Sequence, residues 1–464
     1  MTGFCPAYPK PLRSKASRLL MFFGARRSWL AGLYERSYSM KMGEVHLPGM
    51  DLYMVNEPAL VREVLVDSAA QCPKHQLLAG SLRPLLGDSV FTTNGDVWKR
   101  QRQMINPAFE QARLNIAFPT MLAAAQDMVA RLAPVPDGAA HDMEAEMTHV
   151  TADIIFRTIF SVPMSGEQSR AMFAAFATYQ QGAPRIALPA LFGLRWLTPW
   201  RQVRRNRQAA LEIREALAAL IRPRVEAHRT GQPQPEQDIL AALLDARDAD
   251  GAPFTFEALV DQTAMLFLAG HETSASALGW ALHLMANAPA VQERMQDEVL
   301  AACGTLPPEP GHIRQLPLIR NVFREALRLF PPVGFIARET TQPRTMRDKR
   351  LPAGASLIIS PWLIHRHREL WQRPDEFDPD RYENDASRDS LRDAFLPFGL
   401  GPRVCVGAAF ALQEAALVLA LLARNYRFAP VPGHVPQPVG RLTIRSANGI
   451  LLRVFRRPPA QGGL

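Results

Sequence analysis

One cysteine, Cys405, stands in a short loop whose residue types suit metal ligation. The loop runs into a predicted helix over Ala408–Arg424 and reads Phe398-Gly-Leu-Gly401-Pro-Arg403-Val-Cys405-Val-Gly407. Backbone N–H groups at a helix N-terminus favour the thiolate, which is the metal-binding form of cysteine. Gly401 and Gly407 permit a tight turn and the close approach of a flat ligand, and Arg403 suits a carboxylate. A buried structural cysteine is the ordinary alternative, but glycine and arginine at these offsets favour a ligand.

A polar cluster interrupts the longest apolar stretch of the chain. The stretch Phe254–Met285 is apolar on most sides and therefore predicts a buried central helix with Thr255 as its N-cap. Its middle reads Ala269-Gly270-His271-Glu272-Thr273. Buried polar groups are costly without partners, and threonine can bond the carbonyl four residues back and open the helix locally. A kinked core helix with satisfied polar groups is one interpretation, and a groove with proton-handling groups beside a bound molecule is the other.

Two further pairs have helical spacing but little specificity by themselves. Glu325 and Arg328 are three residues apart, ahead of the helix-ending Pro331-Pro332, so they share a helix face. Trp98 and Arg102 are four residues apart, so they also share a helix face. An exposed ion pair of the first kind contributes only about 0–1 kcal/mol, and a tryptophan with an arginine on a helix usually marks a packed surface.

Taken together and in this order, the motifs resemble those of the cytochromes P-450. The ligand loop of that family has the pattern Phe-x-x-Gly-x-Arg-x-Cys-x-Gly, and every specified position is filled here. The resemblance covers nearly the whole chain. It implies a mostly α fold with a minor β part, in which haem b lies between the long central helix and the cysteine loop, with Cys405 as the iron ligand.

The resemblance also implies roles for individual residues. Glu272 and Thr273 match the family's acid–alcohol pair, which delivers protons to dioxygen at the haem, and His271 is interpreted as a packing residue. Arg381, flanked by Asp380 and Tyr382 in a mild variant of the family pattern, would join the buried Glu325–Arg328 network behind the haem. Residues implied to contact the haem are Trp98, Arg102, Arg338, Phe398, Arg403, Gly407 and Ala269. Residues implied to line the substrate pocket are Val333, Phe335, Ile336, Phe267 and Thr443.

The function implied is a monooxygenase that inserts one oxygen atom of O2 into a C–H or C=C bond of a hydrophobic small molecule. Fatty acids, terpenoids and steroids fit the apolar lining, which would include the acid-free stretch Ile186–Trp200. Electrons would pass from NAD(P)H through a ferredoxin or flavodoxin with its reductase. Lys99, Arg100, Arg102 and Arg403 predict a basic face for an acidic ferredoxin. A peroxide-driven relative and a haem sensor or carrier are the alternatives, and both are disfavoured because neither needs Glu272 and Thr273.

The elements that must position these residues are mostly helical. A hairpin is predicted over residues 43–56 around Pro48-Gly49, and Ser356–Ser360 with Trp362 and Ile364 predicts strands. The minor sheet would therefore draw on both ends of the chain. Helical periodicity is clearest over Leu114–Leu132, Met143–Phe160, Val203–Arg229 and Ala290–Ala302.

Length and composition set the remaining expectations. The 464 residues contain no linker, repeat or low-complexity tract, so we predict one domain, with residues 1–42 as an N-terminal extension and no transmembrane helix. Four separated cysteines form neither a disulfide framework nor a zinc site and suit a reducing, cytoplasmic setting. The net charge of +9 indicates either the nucleotide composition of the genome or an anionic partner. The bland explanation by composition is favoured because the basic residues are spread along the chain, so we expect no binding to nucleic acid. We also expect a monomer.

Overall fold

The computed structural model describes residues 3–13, 24, 28–47, 50–164, 174–176, 178–180, 182, 199–232 and 237–458. Its α-helices are α1 Pro58–Arg62, α2 Gln76–Leu86, α3 Gly95–Ile105, α4 Gln111–Leu132, α5 Met143–Phe160, α6 Trp200–Arg229, α7 Ile239–Asp245, α8 Phe256–Ala286, α9 Pro289–Cys303, α10 Pro310–Arg314, α11 Pro317–Leu329, α12 Pro361–Ile364, α13 Arg388–Ala394 and α14 Ala408–Asn425. Its strands are β1 Met42–Leu47, β2 Met50–Val55, β3 Ala139–Asp142, β4 Ile336–Glu339, β5 Arg344–Met346, β6 Lys349–Leu351, β7 Ser356–Ile359, β8 Tyr426–Pro430, β9 Pro438–Gly440, β10 Ile444–Ser446 and β11 Leu451–Arg456. Single turns of 3₁₀ or π helix connect several of them, including Gly401–Arg403 and Pro379–Glu383.

The central helix α8 confirms the prediction made from its apolar sequence. Thr255 caps its N-terminus, and the side chain accepts a hydrogen bond from the Ala258 backbone N–H. The helix ends at Ala286, shortly before Pro289, and nearly all of its residues from Leu259 onward are buried. Gly270 lets helix α5 come close, because a Cβ there would lie 2.9 Å from a side-chain carbon of Ile155. The central helix therefore forms the middle of the main hydrophobic core.

The minor sheets combine segments that are far apart in the sequence. The predicted hairpin is present as the antiparallel pair β1–β2, with Met42 opposite Val55. It is extended by β7, parallel to β2, and by β4, so the strand order is β1-β2-β7-β4. A second sheet has the order β3-β11-β8, and β5–β6 and β9–β10 form two-stranded pairs. Both ends of the chain thus contribute to the β structure, as predicted.

The predicted strand around Trp362 and Ile364 is wrong. Only Ser356–Ile359 is a strand, and Pro361–Ile364 forms the short helix α12. Ser360 begins this helix by accepting a hydrogen bond from the Leu363 backbone N–H. Proline at the first helical position has no N–H that needs a partner, so the local sequence stops the strand and starts a helix turn.

The first residues of the chain pack on the helical core. The Phe377 backbone N–H donates to the Phe4 carbonyl at 2.8 Å, and the Tyr8 hydroxyl donates to the Asp375 carboxylate at 3.2 Å. By length and hydropathy one described helix, Ala408–Asn425, could cross a membrane, and 61% of it is buried inside the molecule. A core helix meets the same criteria.

Candidate functional site

The cysteine loop is held by its own backbone. The Cys405 N–H donates to the Phe398 carbonyl at 2.9 Å, and the Val404 N–H donates to the Gly401 carbonyl at 3.0 Å. Gly401 has φ +74°, and a Cβ at this position would lie 2.2 Å from the Leu65 carbonyl oxygen. Glycine is therefore required at Gly401 both for the backbone angle and for the close approach of the neighbouring chain.

Cys405 is a free cysteine with an accessible side chain just ahead of helix α14. The protein packed around the thiol raises its pKa by desolvation, while the Gly407 backbone N–H and the charge of Arg102 act in the opposite direction. From the sequence, the helix N-terminus is expected to lower the pKa of Cys405. Desolvation by the surrounding protein outweighs the Gly407 N–H and the Arg102 charge, so ligation of a cation would be needed to stabilise the thiolate.

Glu325, Arg328 and Arg381 form one buried ion-paired network. Arg328 donates to both Glu325 oxygens at 2.8 Å, and Arg381 Nε donates to Glu325 Oε1 at 2.9 Å. Tyr382, which flanks Arg381, also donates to the Glu325 carboxylate, at 3.2 Å. Burial pushes the pKa of Glu325 upward, but the neighbouring arginines bring it below its ordinary value. The network therefore holds fixed charges.

This network is connected to the cysteine loop through His365. Arg328 Nη1 donates to the His365 carbonyl at 3.0 Å, and His365 Nε2 accepts a hydrogen bond from the Leu396 N–H at 2.8 Å. Leu396 lies two residues before Phe398, and the Gly399 N–H bonds the Leu396 carbonyl. The buried ions thus fix the backbone from which the loop starts. Sequence reasoning did not find His365, because no spacing rule connects it to the motif.

Between residues 259 and 286, the central helix is accessible to solvent at one place only. Ala269 is exposed and Gly270 and Thr273 are partly exposed, whereas Leu259–Leu268 and Ser274–Ala286 are buried. Positions 269, 270 and 273 share one side of a helix. The Thr273 hydroxyl lies on this side and donates to the Ala269 carbonyl at 2.7 Å. This is the bond to the carbonyl four residues back that the sequence predicts, and the backbone is α-helical on both sides of it.

Glu272 is turned away from this open side. Thr443 Oγ1 donates to Glu272 Oε1 at 2.8 Å, and both residues are buried. Gln180 also bonds the Glu272 carboxyl, and burial raises the pKa of the group. Thr443 was predicted to line the substrate pocket, but the structure places its hydroxyl on Glu272. Proximity of β10 to the central helix, which no local pattern encodes, decides this contact.

The residues on either side of this pair have buried partners of their own. His271 is in the core, where Nδ1 bonds the Phe267 carbonyl at 2.9 Å and Nε2 lies 2.8 Å from the Gln180 amide nitrogen. The Ser274 hydroxyl donates to Glu414 Oε2 at 2.6 Å. Glu414 is fully buried, and desolvation raises its pKa to about 8. Helix α14, which starts at the cysteine loop, therefore packs on the central helix one residue after Thr273.

Four cations meet near the cysteine loop. Lys74, Arg102, Arg338 and Arg403 influence one another electrostatically, and burial followed by the charges of these arginines lowers the pKa of Lys74 to about 7. Burial and Arg403 lower the pKa of Arg338 to about 10. The Arg403 guanidinium lies 4.9 Å from the ring centre of Trp98. Sequence reasoning found Trp98 and the arginines but missed Lys74, which no motif singles out.

These cations bond backbone carbonyls and keep unused donors. Arg102 donates to the Val404 carbonyl at 2.8 Å, and Arg403 donates to the Ala69 carbonyl at 2.7 Å. The Nε atoms of Arg338 and Arg403 are buried without a partner. Within the described ranges no carboxylate is ion-paired with any of the four cations. Buried orphan donors beside a free cysteine and an open helix face fit a flat group that carries a metal and carboxylates, as haem b does.

The predicted pocket residues have mixed environments. Phe335 and Ile336 are partly buried, and Val333 is 42% exposed. Ile336 approaches the cysteine loop, since its Cδ1 lies 3.9 Å from where a Gly399 Cβ would be. The prediction for Phe267 is contradicted, because it is fully buried among Phe156, Phe176 and His271 on the core side of the helix. The stretch 186–198 lies outside the described residues.

The predicted basic face is only partly present. Lys99 pairs with Asp96 at 3.0 Å, and Arg100 pairs with Asp248 at 2.8 Å. Arg102 and Arg403 belong to the cation cluster described above. Two of the four basic side chains are thus neutralised by neighbours in the chain, which the spacing of the sequence could not reveal.

Comparisons with known proteins agree with this geometry. The family profile described as "Cytochrome P450" matches residues 28–452. Cyclooctatin synthase of Streptomyces melanosporofaciens is 31% identical over 417 residues, which are 89% of this chain and 88% of that protein. Pentalenene oxygenase of Streptomyces avermitilis is 30% identical, covering 88% and 89%, and leukotriene-B4 omega-hydroxylase 3 of Mus musculus is 30% identical, covering 92% and 83%. The crystal structure of the cytochrome P450DA heme domain superposes with a TM-score of 0.79 at 25% identity, covering 90% of each chain.

Proposed function

Because this chain belongs to the cytochrome P450 family and is a haem-thiolate monooxygenase of hydrophobic substrates, we propose that it oxidises a terpenoid, fatty acid or steroid at a C–H or C=C bond. Two relatives, pentalenene oxygenase and leukotriene-B4 omega-hydroxylase 3, have names that support an apolar substrate class. The observation that carries the proposal is the free Cys405 at the head of a helix that packs on the central helix next to Thr273.

In this proposal Cys405 ligates the iron, and haem b supplies the activation of dioxygen, which thiolate ligation favours. Arg102, Arg338 and Arg403 would hold the haem carboxylates with their unused guanidinium donors. Lys74 would add a fourth donor, and the Trp98 ring, over which the Arg403 guanidinium lies, would help to fix the position of Arg403. The buried Glu325 network keeps the backbone of the loop in place.

Protons would be handled by the pair in the central helix. Glu272 is buried and its pKa is raised, so it keeps a proton more readily than an exposed glutamate does. That property suits a group that must act as an acid near neutral pH. The Thr273 hydroxyl lies on the accessible side of the helix and would orient the proton that Glu272 supplies. Delivery requires the Glu272 side chain to release Thr443 and turn toward this side.

The redox chain and the setting are part of the proposal. Electrons would come from NAD(P)H through a ferredoxin or flavodoxin and its reductase, and the protein would act as a cytoplasmic monomer. Lys99 and Arg100 are ion-paired with Asp96 and Asp248, so their charges are available to an acidic partner only when these pairs open. Charge reversal at the two positions would weaken partner binding to that extent. Stopped-flow reduction at several salt concentrations measures this contribution.

The first test is the absorption spectrum of the dithionite-reduced protein with carbon monoxide. We expect a strongly red-shifted Soret band that is lost in Cys405→His and kept in Cys5→Ser, a control that removes another free, exposed cysteine. Protein without bound haem, or a band unaffected by Cys405→His, would contradict the proposal. Substrates can then be screened by their shift of the haem spin state.

A second measurement separates the monooxygenase from its alternatives. Consumption of reduced nicotinamide, with a reconstituted reductase and ferredoxin, should follow product formation and should fall in Thr273→Ala. A haem sensor or carrier would show the spectrum without turnover. A peroxide-driven enzyme would turn over with peroxide alone and would not respond to Thr273→Ala.

A further inference from the structure

The excess positive charge of the chain is concentrated in one segment. Residues 168–211 contain seven arginines and no aspartate or glutamate, in a chain whose net charge is +9. This contradicts the even spread of basic residues inferred above. The same segment is rich in large apolar residues, namely Leu188, Leu191, Phe192, Leu194, Trp196, Leu197 and Trp200. Arginine with aromatic and aliphatic residues, and without acids, is the composition of segments that lie at membrane interfaces.

The structure describes residues 174–176, 178–180, 182 and 199–211 of this segment, and we call the start of helix α6 the arginine turn (residues 200–207). Trp200 is 68% exposed and Val203 is 42% exposed. Four arginines, all exposed, occupy the first two turns of the helix: Arg201, Arg204, Arg205 and Arg207. The Arg201 guanidinium lies 5.5 Å from the ring centre of Trp200. The exposed surface thus combines a large aromatic ring with several positive charges.

Among the described residues, the charges of the arginine turn have no acidic partner. Further along the same helix, Arg214 pairs with Asp261 at 2.7 Å and Arg224 pairs with Asp238 at 2.8 Å. Across the described ranges, no carboxylate pairs with the four arginines of the arginine turn. The first turn of α6 also lacks an acidic residue, although acids there would stabilise the helix. Four mutually repelling cations at this place are therefore explained better by an external anion than by helix stability.

The apolar component decides which anionic partner fits. An acidic protein or a nucleic acid would match the arginines, but neither requires an exposed tryptophan and valine beside them. A bilayer containing anionic lipid satisfies both, because headgroups meet the guanidinium groups while Trp200 enters the interfacial layer. We propose that the arginine turn docks this protein on the surface of anionic membranes.

This docking is independent of the proposed oxidation, since it needs no haem, but the two would act together. Apolar substrates of the proposed class dissolve preferentially in bilayers, so an enzyme held at the membrane surface would meet them at a higher local concentration.

The test is co-sedimentation of the holoprotein with vesicles of phosphatidylcholine alone or with about one third phosphatidylglycerol. We expect binding to the anionic vesicles at 0.1 M salt and little binding to the neutral ones. Each basic residue near an anionic surface contributes about fivefold in partitioning, so Arg204→Glu with Arg205→Glu, which removes two positive charges and adds two negative ones, should reduce binding by at least about 25-fold. Trp200→Ser should reduce it by about tenfold, with an unchanged salt dependence.

A matched control removes two exposed arginines elsewhere, Arg62 and Arg350, by the same change to glutamate. Equal losses in this control and in the Arg204/Arg205 variant would mean that only net charge matters and would overturn the proposal. The proposal would also be overturned if the protein bound heparin as well as it bound anionic vesicles and if Trp200→Ser left binding unchanged. That pattern indicates a soluble polyanion as the partner. The carbon monoxide spectrum of each variant confirms that the protein is folded, and loss of that spectrum in wild type would concern the oxidation and not the docking.

Discussion

Two fully buried glutamates in this protein have opposite protonation behaviour. Glu325, behind the cysteine loop, has a lowered pKa because two arginines offset its desolvation. Glu414, beside the central helix, has a pKa raised to about 8 by burial, which the hydrogen bond from the Ser274 hydroxyl does not offset. Burial is the same in both regions, so the partners decide whether a buried carboxyl is a fixed charge or holds a proton.

The two regions divide the work accordingly. Behind the cysteine loop, charges are paired and bonded to backbone carbonyls, which gives a fixed geometry through His365 to Leu396. Around the middle of the central helix, Glu272 and Glu414 have raised pKa values, because desolvation outweighs the charge of Arg445 near Glu272 and the neutral hydrogen-bond donors of both groups. The first arrangement suits positioning, and the second suits the storage and movement of protons.

The largest effect is expected from breaking the fixed-charge region. Glu325→Ala leaves Arg328 and Arg381 buried without a counter-ion, which costs about 3–5 kcal/mol of unfolding free energy. The backbone at Leu396 would lose its support, so the variant should bind haem poorly. Urea unfolding and the carbon monoxide spectrum measure the two consequences.

The control for Glu325 is an ion pair on the surface. Arg294 and Asp380 pair at 2.7 Å with both side chains about half exposed. Arg294→Ala should therefore lower the unfolding free energy by less than about 1 kcal/mol and leave haem binding intact. Similar losses in the two variants would remove the distinction between buried and exposed pairs.

The next effect concerns Glu414 and has a defined pH window. Its pKa of about 8 in the folded protein exceeds the ordinary glutamate value of about 4.3 in the unfolded chain. The folded state therefore binds one more proton between these values, and stability falls as pH rises through the window. In Glu414→Gln this fall should be absent, so the variant should become the more stable protein near pH 8. Thermal unfolding from pH 5 to pH 9 makes the comparison.

An unchanged pH dependence in Glu414→Gln would show that Glu414 is ionised and paired in solution. Ser274→Ala provides a second measurement of the same group. The Ser274 hydroxyl lowers the pKa of Glu414, so removing the hydroxyl should raise that pKa and extend the window to higher pH.

The smallest effect is expected at Thr443. The hydrogen bond from Thr443 lowers the raised pKa of Glu272, so Thr443→Val should raise this pKa further. A step that needs protonated Glu272 slows as pH rises past its pKa, and the variant should therefore keep its rate to higher pH. One hydrogen bond contributes about 1 kcal/mol, which corresponds to a change of about fivefold on the alkaline side. The pH profile of substrate-dependent turnover measures it.

Thr443→Ser keeps the hydroxyl and should retain the wild-type profile. Should Thr443 act as a pocket residue instead, Thr443→Val would change the substrate-induced spin shift and leave the alkaline limb in place.

The sequence predicted the parts of this protein that are encoded locally. The central helix with its Thr255 cap, the β1–β2 hairpin and the loop around Cys405 each depend on neighbouring residues, and their positions could be read directly. Phe267 and Trp362 were assigned wrongly for different reasons. Phe267 belongs to an apolar helix that is buried on several sides, so its pattern does not say which side meets a ligand, and Trp362 follows a proline that begins a helix.

By itself, the sequence determined the mostly α fold class, the cysteine loop and the place of Glu272 and Thr273 in the central helix, because these are patterns of residue type at fixed spacing. Only the tertiary structure decided the partners of the buried charges. Lys74 joins three arginines, His365 connects an ion network to a loop, and Thr443 reaches Glu272 from the other end of the chain. Electrostatic energies depend on distance and burial in space, so contacts between remote segments set the protonation state of groups that the sequence could only name.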